Sequence, residues 1–144
     1  MTLWRILAVI GLLAGFALPA QAQDQALSAA DRSAIRQTIQ DQVEAFRRDD
    51  DDAAFGYASP TIQTMFGTSA SFMAMVRRGY QPVYRPQSFD FREIVTLNGK
   101  PTQKAAVVGP DGRAVTAFYP MVQLPDGRWR IDGCYLSAPD DPLA

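Results

Sequence analysis

Ser88-Phe89-Asp90-Phe91-Arg92-Glu93-Ile94-Val95-Thr96-Leu97-Asn98-Gly99 is the stretch on which the fold turns. Phe89, Phe91, Val95 and Leu97 recur with period two, and Asp90, Arg92 and Thr96 fall between them, which predicts a half-buried strand from Ser88 to Leu97. Asn98-Gly99 is the dipeptide that a tight hairpin favours, because both turn positions need a positive φ. Downstream, Pro110-Asp111-Gly112 and Pro125-Asp126-Gly127 repeat the turn signal. Three turns imply four antiparallel strands in a meander: Ser88 to Leu97, Thr102 to Val108, Arg113 to Leu124 and Arg128 to Leu136. Pro120 within the third demands a bulge or an edge, and Gly133 in the fourth a bend, so the sheet is expected to curve.

Upstream the period is helical. Ser28-Ala29-Ala30-Asp31 reads as a capping box, and Ile35, Ile39, Val43 and Phe46 follow at helical spacing, giving a long amphipathic helix from Ala29 to about Arg48. Four carboxylates, Asp49 to Asp52, suit the start of a helix better than the end of one, so Asp51 or Asp52 is expected to cap a short helix through Phe55 and Tyr57. Ser59-Pro60 opens another helix that Gly67 ends. From Thr68 or Ser69 a stripe of Phe72, Met75 and Val76 runs into Arg77 and Arg78, with Gly79 as C-cap, and the helical half closes near Tyr80. The fold class is therefore α+β: one long and two or three short helices packed on a curved four-stranded meander, cone-like in outline.

The amino terminus has a different character. Met1 to Arg5 carries one charge, Ile6 to Leu18 is apolar, and Ala20-Gln21-Ala22 is a small-x-small site, the pattern of a cleavable secretory signal cut after Ala22. The apolar run is shorter than the roughly 20 residues that span a bilayer, so stable membrane insertion is not expected after cleavage. Residues 23–144 would form one domain, with its core at about 28–137, in the periplasm or outside the cell. The whole chain has 14 basic and 15 acidic residues and a net charge of −1; losing Arg5 with the leader takes it to −2. That balance gives no handle for nucleic acid.

Two absences restrict chemistry. There is no histidine, which removes His-based nucleophilic systems and His-ligated metal sites, so neither metal nor cofactor is expected. A single cysteine, Cys134, cannot form a bridge within the chain. Its neighbours Ile131, Tyr135 and Leu136 suggest a small buried hydrophobe, against the alternative of an intermolecular bridge or reactive thiol.

Three segments carry a resemblance: Asp50-Asp51-Asp52-Ala53-Ala54-Phe55 with Ala58-Ser59-Pro60; Phe72-Met73-Ala74-Met75-Val76-Arg77-Arg78-Gly79-Tyr80-Gln81-Pro82-Val83-Tyr84-Arg85; and Gly127-Arg128-Trp129-Arg130-Ile131-Asp132-Gly133-Cys134. Over roughly Ile35 to Ser137 the chain resembles domain-of-unknown-function family 4864, exported bacterial proteins, and its element order resembles the nuclear transport factor 2-like cone. The resemblance implies a fold and a compartment, and it carries no catalytic residue across.

The wider superfamily includes ketosteroid-isomerase-like and dehydratase-like enzymes with an acid or base and an oxyanion donor inside an apolar cone. By that analogy Asp90, Asp132, Tyr57 and Tyr119 are the catalytic candidates, although strand alternation turns Asp90 and Asp132 towards solvent beside Arg92 and Arg130. Asp49 to Asp52 lack the alternation and glycine of a calcium loop, and capping accounts for them. Arg77, Arg78 and Arg85, with Tyr80 and Tyr84 held extended by Pro82 and Pro86, could form an anion-binding or partner-binding rim, in which Arg92 could join, or only a solvated helix end. Phe46, Phe55, Phe66, Phe72, Phe89, Phe91, Phe118, Tyr119 and Trp129 could line a pocket or simply fill the core. The leading expectation is a non-enzymatic exported module that binds a small apolar ligand, or pairs through its sheet with a copy of itself or with another envelope protein. The alternatives are a carboxylate and tyrosine isomerase or lyase, and a purely structural homodimer.

Overall fold

The computed structural model describes residues 26–139. The leader, its cleavage site after Ala22 and the tail beyond residue 139 lie outside them. Within them the order is α1 (Ala29–Arg47), α2 (Asp51–Gly56), α3 (Pro60–Phe66), α4 (Ser69–Gly79), α5 (Gln81–Tyr84), β1 (Ser88–Leu97), β2 (Lys100–Val108), β3 (Ala114–Gln123), β4 (Trp129–Ile131) and β5 (Tyr135–Ser137). The architecture is α+β, with a curved antiparallel sheet that is not closed into a barrel.

Each helix from α1 to α4 starts where a side chain can take up free backbone N–H groups. Ser28 and Asp31 form the reciprocal capping box of α1, Ser59 caps α3 with Pro60 following it, and Thr68 caps α4. The acidic turn is resolved differently from expectation. Asp49 adopts a positive φ of 53° just past α1, where Asp50 N–H returns to Ala45 O and Asp49 N–H to Phe46 O, a Schellman-type ending. Asp50, rather than Asp51 or Asp52, then caps α2 by accepting from Ala53 N–H. One turn more of helix exists than the periodicity indicates: Tyr80 and Tyr84 are joined by α5, with Pro82 in its first turn, instead of being held extended.

In the sheet, β1, β2 and β3 follow one another antiparallel, and Asn98 and Gly99 take φ of 51° and 75° in the hairpin that joins the first two. Between Phe91, opposite Ala105, and Ile94, opposite Gln103, two residues face one. This bulge at Arg92 and Glu93 shifts the parity. Ile94 therefore joins Phe89 and Phe91 on the inner face, and Val95 and Leu97, expected inside, turn to the outer face with Thr102 and Lys100 opposite them. Gln103, fully buried, spans the irregularity by donating to the Arg92 carbonyl at 2.7 Å.

The fourth strand is broken. β4 pairs with Met121 to Gln123 and β5 with Thr116 to Phe118, both on the edge of β3 away from β2. The gap lies opposite Pro120, which has no N–H to give; its carbonyl accepts from Asp132 N–H at 2.8 Å, and a Cβ on Gly133 would meet Pro120 Cγ at 3.3 Å. The other edge of β4 is covered by the link between α2 and α3, where Ile131 N–H donates to Tyr57 O and Ser59 N–H to Ile131 O.

Two apolar clusters hold these layers together. Ile35 and Ile39 of α1 pack on Ala105, Val107, Ala117, Tyr119, Met121 and Trp129 of the sheet, each fully buried aliphatic side chain contributing about 1.5–3 kcal/mol. Phe46 at the far end of α1 packs with Ala54, Phe72, Met73, Val76 and Tyr84 beneath the short helices. The space between the clusters is not filled.

Candidate functional site: an apolar cavity between helices and sheet

That space is a cavity of about 340 Å³, at the small end of the size range of ligand pockets. Helices α1, α3 and α4 supply Phe46, Ile62, Phe66, Phe72, Met75 and Val76; α5 adds Val83; and the sheet side contributes Tyr119, Ile131 and the segment Asp132 to Tyr135. At its margin stand the two exposed large hydrophobic side chains among the described residues, Met65 (67% exposed) and Tyr135 (64%). Apolar groups left in water beside an apolar hollow are what a ligand or partner surface would cover.

The polar groups of the cavity are few. Tyr119 is 1% exposed, and its hydroxyl is buried without a hydrogen-bond partner among the described residues. Burial, and secondarily the neighbouring Cys134 thiol, pushes the Tyr119 pKa far above its usual value, so the hydroxyl stays protonated and can donate. Cys134 is half-buried as a residue, with its thiol pushed up to about 12 by burial despite a neighbouring Tyr119 hydroxyl that pulls the other way. It therefore behaves as a small apolar group rather than a nucleophile. Tyr80 is likewise raised by burial and by its neighbours Cys134 and Tyr135. Gln42 turns its amide to Ala54 O at 3.1 Å.

Asp132 is the carboxylate of the cavity wall, and it contradicts the alternation argument that turns it to solvent. Because β4 ends at Ile131, the chain at 132–134 no longer alternates, and the Asp132 side chain is only 8% exposed. Its Oδ1 accepts from Ser59 Oγ at 2.6 Å and its Oδ2 pairs with Lys100 Nζ. Burial pushes its pKa up, but the bonds from Lys100 and Ser59 outweigh that and leave it below the ordinary aspartate value. Both oxygens of this ionised group are thus engaged. Asp90, by contrast, is exposed on the outer face, opposite Ala106, and Tyr57 is half-buried between the two apolar clusters, outside the cavity wall. Asp90, Asp132, Tyr57 and Tyr119 do not converge: only Asp132 and Tyr119 share the cavity.

Of the aromatic residues expected to line a pocket, Phe46, Phe66, Phe72 and Tyr119 do so, and Phe118 faces the outer side of the sheet instead. Phe55 stacks on Phe72 from outside, with centroids 5.4 Å apart. Phe89 and Phe91 pack edge to face on the inner sheet, Phe89 with Tyr119 behind it, and Trp129 turns its indole N–H to Asp31 at the start of α1. Sequence reasoning misses Ile62, Met75 and Val83 as pocket residues: the helical stripes that hold Ile62 and Met75 are legible, but their common destination is not.

Two of the basic rim residues are paired with acids. Arg85 pairs with Asp49 at 2.9 Å and Arg77 with Asp51 at 2.9 Å, while the Tyr84 hydroxyl donates to Asp49 and its ring lies under the Arg85 guanidinium at 3.9 Å. Those hydrogen bonds, first from Tyr84 and then from Arg85, hold the Asp49 carboxyl below its usual range. Arg78 donates to Ala74 O on the exposed side of α4 and Tyr80 turns to the cavity, so the five rim residues do not form one surface. Asp52, the remaining acid of the turn, accepts from Ser69 at 2.6 Å. The acidic turn is a fastening between α1, α2, α4 and α5.

On the outer face of the sheet lies a second hollow of about 260 Å³, bordered by Leu97, Lys100, Phe118, Pro120 and Tyr135. Asp132 and Tyr135 border both hollows, because the break in the fourth strand is the partition between them. None of the helices among the described residues is long and apolar enough to cross a membrane.

Comparison with protein-family models matches residues 28–144 to the domain of unknown function DUF4864. Neither curated proteins nor solved structures give a match to this chain.

Proposed function

The chain belongs to the DUF4864 family, and we propose that this member is an exported binding module for a small apolar ligand, held between the helical layer and the sheet. One observation carries the reading: an open cavity of about 340 Å³ with a mainly apolar wall inside a domain of this size. A small domain gains by packing side chains into such space rather than leaving an apolar wall open to water. Its retention, with Met65 and Tyr135 left exposed at the margin, supports a role for the hollow beyond folding.

A catalytic reading would need a free base near the reacting atom. Asp132 is the cavity's carboxylate and its two oxygens are occupied by Ser59 and Lys100, which favours binding over proton abstraction. Export rests on the leader and its small-x-small site at Ala20 to Ala22. A second reading, pairing of two copies through the sheet, draws support from the outer hollow around Phe118 and from exposed Tyr135.

Native mass spectrometry of the protein taken from its own cell envelope, repeated after denaturation, tests these readings together. A chain starting at Gln23 that releases a small molecule on denaturation is the expected result. A ligand-free dimer would favour the sheet surface, and a ligand-free monomer that takes up no apolar probe would overturn the binding reading.

A further inference from the structure

The chemistry of the cavity wall narrows what it can hold, and this step rests on the binding reading above. Tyr119 is the one buried side chain whose polar atom lacks a partner among the described residues. A buried hydroxyl without a partner costs about 1–3 kcal/mol, so its retention calls for a compensating role, of which pairing with an entering acceptor is one. The neighbouring Cys134 thiol is close enough to perturb the hydroxyl, but sulfur is a weak acceptor and leaves most of its hydrogen-bonding capacity unmet. The charge of the wall is equally selective. Its ionised group is the Asp132 carboxylate, and no basic side chain among the described residues lines the cavity: Lys100 is held by Asp132, and Arg77 and Arg85 are held by the acidic turn. An anionic headgroup entering here would lose its hydration with no cation to replace it.

We propose that the cavity selects neutral molecules with an apolar body and one carbonyl-type acceptor, which receives the proton of the Tyr119 hydroxyl in a hydrogen bond while the body packs against Phe46, Phe66, Phe72 and Met75. Fatty acids and other anionic amphiphiles are rejected by the same wall. Tyr119 is a binding and specificity residue in this arrangement and the contact involves no covalent step.

Three related dyes separate the parts of this proposal: prodan, a neutral naphthalene ketone; dimethylaminonaphthalene, which lacks the carbonyl; and dimethylaminonaphthoate, which carries a carboxylate in its place. Fluorescence titration of the protein lacking residues 1–22 is expected to show prodan binding at least about 10-fold more tightly than the carboxylate. Tyr119→Phe is expected to weaken prodan by about 2- to 10-fold, the worth of one hydrogen bond, and to leave dimethylaminonaphthalene unchanged. The same variant, free of ligand, is expected to unfold at a urea concentration no lower than wild type, because it removes an unpartnered polar atom. A purely structural hydroxyl would give the reverse, a lower midpoint with unchanged dye selectivity. Equal loss of both neutral dyes in Tyr119→Phe, equal binding of prodan and the carboxylate, or a lower midpoint each overturns the specificity proposal while leaving the pocket in place. Failure of all three dyes to bind wild type overturns the pocket itself.

Discussion

Ser59→Ala tests how the cavity wall is built. Ser59 is 1% exposed, and its hydroxyl has two duties: it accepts from Ile62 N–H as the cap of α3, and it donates to Asp132 Oδ1 at 2.6 Å. Losing the cap costs about 0.5–2 kcal/mol, and losing a hydrogen bond to a buried carboxylate about 1.5–3 kcal/mol. The sum, about 2–5 kcal/mol, corresponds to a fall in Tm of roughly 6–25 °C for a domain of this size. Urea unfolding followed by the fluorescence of Trp129, the remaining tryptophan once residues 1–22 are removed, measures it. In an Asp132→Asn background the acceptor is no longer charged, so Ser59→Ala should cost little more than the cap, a coupling of about 1–2 kcal/mol. Equal cost in both backgrounds would refute the shared role. The pH dependence has a fixed sign. The folded Asp132 pKa lies below its unfolded value, so its contribution is full above the unfolded value, near pH 4, and is lost as the pH falls through the folded one. Ser59→Ala removes one of the bonds that lower it, and the gap between the two proteins should narrow below about pH 4.

Phe72→Ala, which removes the ring that Phe55 and Phe66 pack on and that lines the cavity, should cost about 3 kcal/mol in urea unfolding and loosen prodan binding. Gly133→Ala places a Cβ at 3.3 Å from Pro120 Cγ with φ at 158°; a loss of about 1–3 kcal/mol is expected, with greater hydrogen exchange at Asp132 and Cys134. Cys134, with its thiol at about 12, should react with iodoacetamide at pH 8 at least about 100-fold more slowly in the folded protein than in urea, as intact-mass kinetics would show.

Signals that act within a few residues are legible in the chain itself. The capping box at Ser28, the Ser59-Pro60 start, and the three turns each rest on chemistry confined to one turn of chain, and the observed helices and hairpins begin and end on them. Alternation assigns Val95 and Leu97 of β1 to the wrong face because a bulge depends on the partner strand: nothing local marks Arg92 and Glu93, whereas Gln103, a buried amide eleven residues on, takes the carbonyl that the bulge frees. Asp132 goes astray for a similar reason. Alternation holds only while a strand continues, and this one stops where Pro120 of its neighbour offers no N–H.

The sequence by itself determined the α+β class, the succession of helices followed by an antiparallel meander and the exclusion of histidine chemistry, since composition and short-range periodicity depend on no distant contact. Tertiary structure alone decided which side chains share a site. The basic residues Arg77 and Arg85 met their acidic partners Asp51 and Asp49 across 26 and 36 residues, Ser59 and Lys100 converged on Asp132, and the hydroxyl of Tyr119 was left with no partner among the described residues in an apolar hollow. Those outcomes follow from how a curved sheet and its helices close on one another, and long-range packing of that kind leaves no periodic trace in the chain.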